Sequence, residues 1–382
     1  MMRSGVSILA LFTAGVVGVW YDPSDLSTLF QDSAGTTPVT SAAQPVGLML
    51  DKSQGLVPGP QSLANNDFTN GTTGYTFSAP LTFTVNGSNQ AVINRNSAGI
   101  NVFPAQTALT AGKWYFVEVD VIALSNNVSV YFGAVSADTE FITSSTGIRS
   151  GYVRATGTAL SFGPTGAAVA TCTIASISVR LLPGNHAVQA TAAKRPTYQT
   201  SAGLHWLAFD GTDDSMATAA IDFTGTDKVS VFAGVRKLSD AATGVIAEIS
   251  ADAITNDGTF SIFHSSSSTI NGAGFFSKGT ALSSALATAG FVPPKNAILT
   301  GLGNISGDSS IIRIDGVQRA ASFADQGPGN YGNYVLNIGA RGGTSLFFNG
   351  LFYGLVMPGK LASAAEIAST EAYMSAKTGV VL

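Results

Sequence analysis

The chain has 382 residues, of which 45% are hydrophobic and only 11% charged, with 43 glycines and a formal charge of -4. That length exceeds what one hydrophobic core usually serves, so two domains are expected. The 19 basic residues stand against 23 acidic ones and form no basic run, which argues against nucleic-acid binding. A single cysteine, Cys172, excludes an intramolecular disulfide and a multi-cysteine zinc cluster; it lies in a strand-like run and is expected to be a buried thiol.

Residues 1–20 are expected to form an N-terminal arm or a first strand. Their apolar runs, residues 6–12 and 15–20, also fit a secretory signal. Gly and Thr interrupt them too often for a membrane span, which needs about 20 mostly apolar residues, and no other segment qualifies. The aromatic pair in Trp20-Tyr21-Asp22-Pro23 points instead to sandwich core.

Residues 56–184 carry their own strand set. Leu81, Phe83 and Val85 alternate, as do Tyr115, Val117, Val119 and Val121; Val128, Val130 and Phe132 follow, and Ile177 with Val179 closes the region. Period two is the mark of a half-buried strand, so this block is predicted to be an antiparallel sandwich. Leu56-Val57-Pro58-Gly59 precedes it and Leu181-Leu182-Pro183-Gly184 ends it. Such punctuation at both ends suits an inserted domain whose termini leave and re-enter the host side by side. The host is then residues 21–55 and 185–382, and joining its pieces makes one loop of Asp51-Lys52-Ser53-Gln54-Gly55 and Asn185-His186-Ala187.

In the host, Val229, Val231, Ala233 and Val235 share one strand face. Ile311-Ile312-Arg313-Ile314 runs into Asp315-Gly316, a hairpin signal, and Asn349-Gly350 is predicted to be a tight turn between apolar runs. One helix is expected, at the C-terminus. Ser363 caps it, Glu366 completes a capping box and Gly379 closes it, with Ile367, Thr370 and Met374 on the packed face. The fold class is all-β: two β-sandwich (jelly-roll) domains, one inserted in the other, with a short C-terminal helix.

Asp210, Asp213 and Asp214 are the densest acidic cluster. Three carboxylates in a Gly-containing turn are weak candidates for the hard oxygen ligands of calcium, without EF-hand spacing, and Asp210-Gly211 reads first as an Asx turn joining two strands; both readings stay open. Asp22, Asp25 and Asp315 are weaker cases of the same kind. His186, His205 and His264 have no metal-ligand spacing. A glycosidase needs two carboxyl groups about 5 Å apart, or about 6.5 to 9.5 Å for inversion. The Glu-x-Asp-x-Glu strand pattern that would supply them is absent around Glu248 and Asp252, and no catalytic residue is assigned. Residues 265–268 beside His264 look like a polar loop. Gly272-Ala273-Gly274 and Gly301-Leu302-Gly303 lack the full phosphate-loop patterns. Tyr75, Trp114, Tyr131 and Tyr152 are the aromatic candidates for stacking on a sugar face; Trp114 and Tyr115 fall on opposite strand faces, so at most one of them faces a given platform.

The joined loop, together with Leu207-Ala208-Phe209-Asp210-Gly211-Thr212-Asp213-Asp214, Ile314-Asp315-Gly316 and Asn349-Gly350-Leu351-Phe352-Tyr353-Gly354, resembles laminin-G-like domains of the concanavalin A-like superfamily. Asn66-Asp67-Phe68-Thr69-Asn70-Gly71-Thr72-Thr73-Gly74-Tyr75 resembles the first strand of jelly-roll carbohydrate-binding modules, with Tyr75 where Trp is usual. The opening Gly18-Val19-Trp20-Tyr21-Asp22-Pro23-Ser24-Asp25-Leu26-Ser27-Thr28-Leu29-Phe30-Gln31-Asp32 resembles a recurrent start in phage and prophage virion proteins. These resemblances imply a non-enzymatic virion structural protein, a tail-fibre or baseplate adhesin binding cell-surface glycan. A capsid decoration protein is the alternative within that class, and a glycan-processing enzyme or free-standing carbohydrate-binding protein lies outside it. The implied partners are other virion proteins, a host-surface glycan and further copies of the chain, a trimer by analogy.

Overall fold

The computed structural model describes residues 7–96, 103–133, 140–166, 169–264 and 272–382; the loop at 265–268 lies outside them. The chain divides into two compact units. Met1–Ser33, Thr37–Gly55 and Gly184–Leu382 make the first, and Ala34–Thr36 with Leu56–Pro183 the second.

The first unit is a sandwich of two antiparallel sheets. One sheet runs in the order β14 (Thr197–Ser201), β15 (Leu204–Asp210), β26 (Asn349–Pro358), β17 (Lys228–Lys237), β22 (Lys295–Asn304), β23 (Ser309–Ile314) and β24 (Val317–Ser322). A further strand, β1 (Gly18–Tyr21), pairs with the second half of β26, where β15 no longer reaches. The other sheet runs β2 (Leu29–Phe30), β3 (Leu48–Met49), β13 (Ala187–Val188), β16 (Met216–Asp222), β25 (Asn333–Ile338), β18 (Gly244–Ile249), β19 (Thr259–His264), β20 (Ala273–Lys278) and β21 (Leu282–Leu286).

The alternation along β17 explains its central place. Val229, Val231, Ala233 and Val235 enter the core between the sheets. Phe232, on the opposite face, packs with Ile8, Leu11, Phe12, Ile298, Val356 and Met374 in a smaller cluster under the C-terminal helix α1 (Ala364–Thr378). Burial on both faces is what a continuous Val/Phe/Ala run permits. The start of α1 is set by its sequence: Ser363 Oγ accepts from Glu366 N at 3.3 Å and the Glu366 carboxylate accepts from Ser363 N at 2.8 Å. Gly379, at φ 72°, ends it. Thr370 and Met374 are buried, giving the packed face the spacing predicts.

The Asp315-Gly316 hairpin forms between β23 and β24, with φ of 51° and 76°, the doubly positive backbone of a type I′ turn. Asn349-Gly350 is a correction: it is not a turn but the first two residues of β26, paired with Asp210 and Phe209. Glycine is needed there for close approach, because a Cβ would lie 2.2 Å from Phe348 Cζ and 2.4 Å from the Arg236 carbonyl oxygen.

Residues 51–53 and 185–186 meet in a buried joint. Asp51 Oδ1 accepts from Trp20 N at 2.8 Å and Ser53 N at 2.9 Å, and Oδ2 from Asn185 N at 2.7 Å and Ser53 Oγ at 2.8 Å. The Asp51 N–H donates to His186 Nδ1 at 2.9 Å, and Tyr21 Oη donates to the Asn185 carbonyl. Burial pushes the Asp51 carboxyl up despite these donors, and burial pushes His186 down to about 3.

The second unit is also a two-sheet β structure. Five strands run β10 (Gly147–Arg154), β7 (Trp114–Leu124), β12 (Ala170–Leu182), β5 (Ala91–Arg95) and β4 (Thr82–Val85). Four run β6 (Ala105–Thr107), β11 (Ala159–Thr165), β8 (Asn127–Phe132) and β9 (Glu140–Thr143). The alternating residues Val117, Val119 and Val121 of β7 and Val128, Val130 and Phe132 of β8 meet in its core. Cys172 lies there too, and burial pushes its thiol up to about 12, so it is an unreactive core residue.

Candidate functional site

The acidic cluster lies where β15 ends and the chain turns toward β16. Asp210 Oδ1 accepts from the backbone N–H groups of Thr212, Asp213 and Asp214 at 2.8, 3.3 and 3.4 Å. Asp214 Oδ2 in turn accepts from Asp210 N at 3.1 Å. This is the Asx turn of the sequence reading, and it also brings one carboxylate oxygen from each of Asp210, Asp213 and Asp214 within 4.8 Å of one another. Asp210 is exposed and Asp214 buried. Burial, then the charges of Asp210 and Asp213, push the Asp214 carboxyl up to about 6. The donor set is all hard oxygen and carries mutual repulsion that a divalent cation would relieve, so the three residues fit calcium as candidate ligands.

The other acidic candidates serve the fold. Asp22 accepts from Lys377 Nζ at 2.9 Å and Tyr373 Oη at 2.9 Å, and Trp20 Nε1 donates to that same Tyr373 oxygen at 3.0 Å. Burial raises the Asp22 carboxyl, but Ser24 and Lys377 outweigh it and hold the group below its ordinary value. Asp25 pairs with Lys52 at 2.6 Å and Asp315 with Lys295 at 2.8 Å. Glu248 is fully buried on β18 and takes a two-pronged contact from Arg341, with Nε and Nη2 each at 3.0 Å; Arg341 Nη1 also reaches Asp252 at 3.3 Å. Glu371 is held the same way by Arg313 at 2.8 and 3.0 Å. His205 Nδ1 lies 2.6 Å from Tyr198 Oη, and His264 packs on Phe348.

Three of the four aromatic candidates are corrected. Tyr75, Trp114 and Tyr131 are buried at 7%, 5% and 7% exposure. Tyr75 packs between Phe83 and Phe162, and Tyr131 stacks on Phe103. The rings of Tyr75 and Tyr131 belong to the core of the second unit and Trp114 is buried, so none presents a face to a sugar. Tyr152 is half-buried against Phe116, with ring centroids 5.4 Å apart.

A feature the sequence reading missed lies on the second sheet of the first unit. A cleft of about 400 Å³ is lined by Ser250, Ala251, Asn256, Tyr334, Val335, Asn337 and Gly342. Ser250 follows β18 with φ of 89°, an uncommon backbone for serine. Its carbonyl accepts from Asn337 Nδ2 at 2.7 Å and its Oγ from Asn256 Nδ2 at 3.3 Å. Neither carboxamide Oδ1 accepts a hydrogen bond from the described residues. Asn256 and Asn337 are 81 positions apart by numbering, so only the pairing of β18 with β25 reveals them as neighbours. A second cleft, about 360 Å³, includes Asp257, Thr280, Asn330 and Gly332 in its lining.

No family model and no curated protein matches the chain. Among solved structures it is similar to the CBM40 of the Ruminococcus gnavus IT-sialidase bound to alpha2,3 sialyllactose, at 14% identity over 38% of this chain and 83% of that one, with TM-score 0.30. It is also similar to domain 4 of AbnA, an arabinanase from Geobacillus stearothermophilus, in complex with arabinotriose: 11% identity, 46% and 81% coverage, TM-score 0.37. A heptameric SAP-like pentraxin from Limulus polyphemus gives 10% identity, 43% and 79% coverage, and TM-score 0.34.

Proposed function

We propose that the chain is a non-enzymatic glycan-binding protein of a bacteriophage particle, acting as an adhesin at the tail fibre or baseplate. The observation that carries the binding reading is how the polar side chains of the first unit are divided. Glu248 and Glu371 are each held by an arginine in structural ion pairs, whereas carboxamide oxygens line a neutral cleft without a partner among the described residues. Fixed neutral acceptors beside small apolar groups favour a hydroxyl-rich, uncharged ligand in that cleft. The virion assignment rests on the resemblance of residues 18–32 to the start of phage virion proteins.

Two measurements test this reading. The whole protein, screened on an array of bacterial surface and capsular oligosaccharides, is expected to bind a subset without degrading it. Immunogold labelling of particles is expected to mark the tail. Loss of the bound oligosaccharide into smaller products would overturn the non-enzymatic reading, and labelling spread over the shell would replace adhesion with capsid decoration.

A further inference from the structure

We infer that the cleft formed by Ser250, Asn256, Val335 and Asn337 is a binding site for a neutral oligosaccharide, an inference that rests on the glycan-binding reading above. On β25, Val335 and Asn337 are two residues apart and therefore project from the same face of the strand. Leu336 and Ile338, on the alternate face, belong to the core. Val335 is 37% exposed and Asn337 only 5%, so one supplies open apolar floor and the other a recessed polar group.

Ser250 organises the acceptors. By taking one N–H from each carboxamide, it fixes the planes of Asn256 and Asn337 before any ligand arrives. The two Oδ1 atoms are then pre-positioned acceptors, which lowers the ordering cost of binding. Ser250 itself is held by its N–H donating to the Val335 carbonyl at 2.8 Å. A non-glycine residue kept at φ of 89° stores strain that the surrounding bonds must hold in place, and here those bonds are the ones that aim the carboxamides.

Among the described residues, the lining of the cleft carries no charged side chain. Arg341, next to Gly342, is engaged by Glu248 and Asp252. Paired acceptors over a small apolar floor match a pyranose, whose hydroxyls donate while its C–H face covers Val335 and Ala251. The volume of about 400 Å³ lies at the lower end of small-ligand sites, roughly 300–1,000 Å³. Asn256 lines this cleft while the adjoining Asp257 lines the second one, and Tyr334 Oη donates to the Asp257 carbonyl at 3.0 Å. One short segment thus separates two clefts, an arrangement suited to consecutive sugar units.

The test uses the full chain and the strongest neutral oligosaccharide from the array, titrated by calorimetry. Asn256→Ala removes one acceptor and Val335→Trp fills the cleft from an exposed position. Each is expected to weaken binding at least tenfold while the protein stays folded, as read by circular dichroism; should Val335→Trp fail to fold, Asn256→Ala carries the test. Binding that stays within twofold in both variants, or that falls instead with Tyr152→Ala in the other unit, overturns this site and leaves the glycan-binding reading standing. Selective binding of acidic glycans overturns the neutral class. An array with no bound glycan at all overturns the glycan-binding reading and this inference together.

Discussion

Replacing Asp214 with asparagine tests the electrostatics of the acidic turn. Its carboxyl has a folded value of about 6 against an ordinary 3.8, raised by burial and by Asp210 and Asp213. A folded value above the unfolded one means that the group's relative stabilisation is complete below pH 3.8 and is lost as pH rises through 6. The full difference corresponds to about 3 kcal/mol, and solvent screening beside the exposed Asp210 reduces it to about 1–2 kcal/mol. Asp214→Asn should therefore stabilise the metal-free protein by about 1–2 kcal/mol at neutral pH and change little near pH 4. Urea unfolding in a chelator, read by hydrogen exchange of β15 and β16, isolates the unit concerned. A variant no more stable than the parent at neutral pH would refute the account of strain in the turn. Calcium adds a second arm: a cation at one hundred times its dissociation constant stabilises the parent by about 2.7 kcal/mol, and the variant should lose most of that gain. If millimolar calcium leaves the parent unmoved, the cluster is an Asx turn alone.

Arg341→Ala leaves the fully buried Glu248 carboxylate without its guanidinium and should cost about 3–5 kcal/mol in chemical denaturation. Ser363→Ala removes the Oγ acceptor of the α1 capping box and should cost about 1 kcal/mol, seen as a lower melting temperature. His186 has a folded value of about 3 against 6.5, so its contribution is present above pH 6.5 and is lost as pH falls toward 3. His186→Gln should flatten the decline of stability between pH 6.5 and 5 by about 1.4 kcal/mol per pH unit, measured by denaturant titration across that range. Asp51 acts in the opposite direction, because its carboxyl is raised on folding, and Asp214 does the same, so a gain of stability on acidification that persists in the Asp214→Asn variant would mean that Asp51 dominates the joint.

Strand periodicity made much of this fold legible. The alternation in β7, β8 and β17 needs only two buried sheet faces to be read, and the Ser363, Glu366 and Gly379 signals of α1 are local. Asn349-Gly350 misled because a turn dipeptide and a close-packed strand glycine have the same letters; the deciding contacts, Phe348 and Arg236, become visible only when β17 and β26 pair. The aromatic candidates misled for a related reason. Tyr75 and Tyr131 carry a polar tip that suits a binding surface equally well, but the second unit needs their rings to close its core. The carboxamide cleft was invisible because its two amides come from distant segments and are joined through the carbonyl and the hydroxyl of Ser250.

The opening motif takes on a different meaning in the folded chain. Trp20 donates to Tyr373, Tyr373 donates to Asp22, and Lys377 bonds both Asp22 and Ser24. Lys52 lies over the Trp20 ring at 4.7 Å and pairs with Asp25. The polar residues of Trp20-Tyr21-Asp22-Pro23-Ser24-Asp25 are therefore engaged in binding the N-terminal segment to α1 and to the Asp51 joint. A sequence motif consumed by internal contacts specifies how the first unit closes, and it leaves few groups free to recognise a partner. Chains that share this opening are then expected to share the closure and to differ in what they bind. On the proposed glycan-binding reading, recognition falls to surfaces that the closure leaves open, and substitutions in the cleft beside Ser250 and in the acidic turn are expected to change binding without changing the fold.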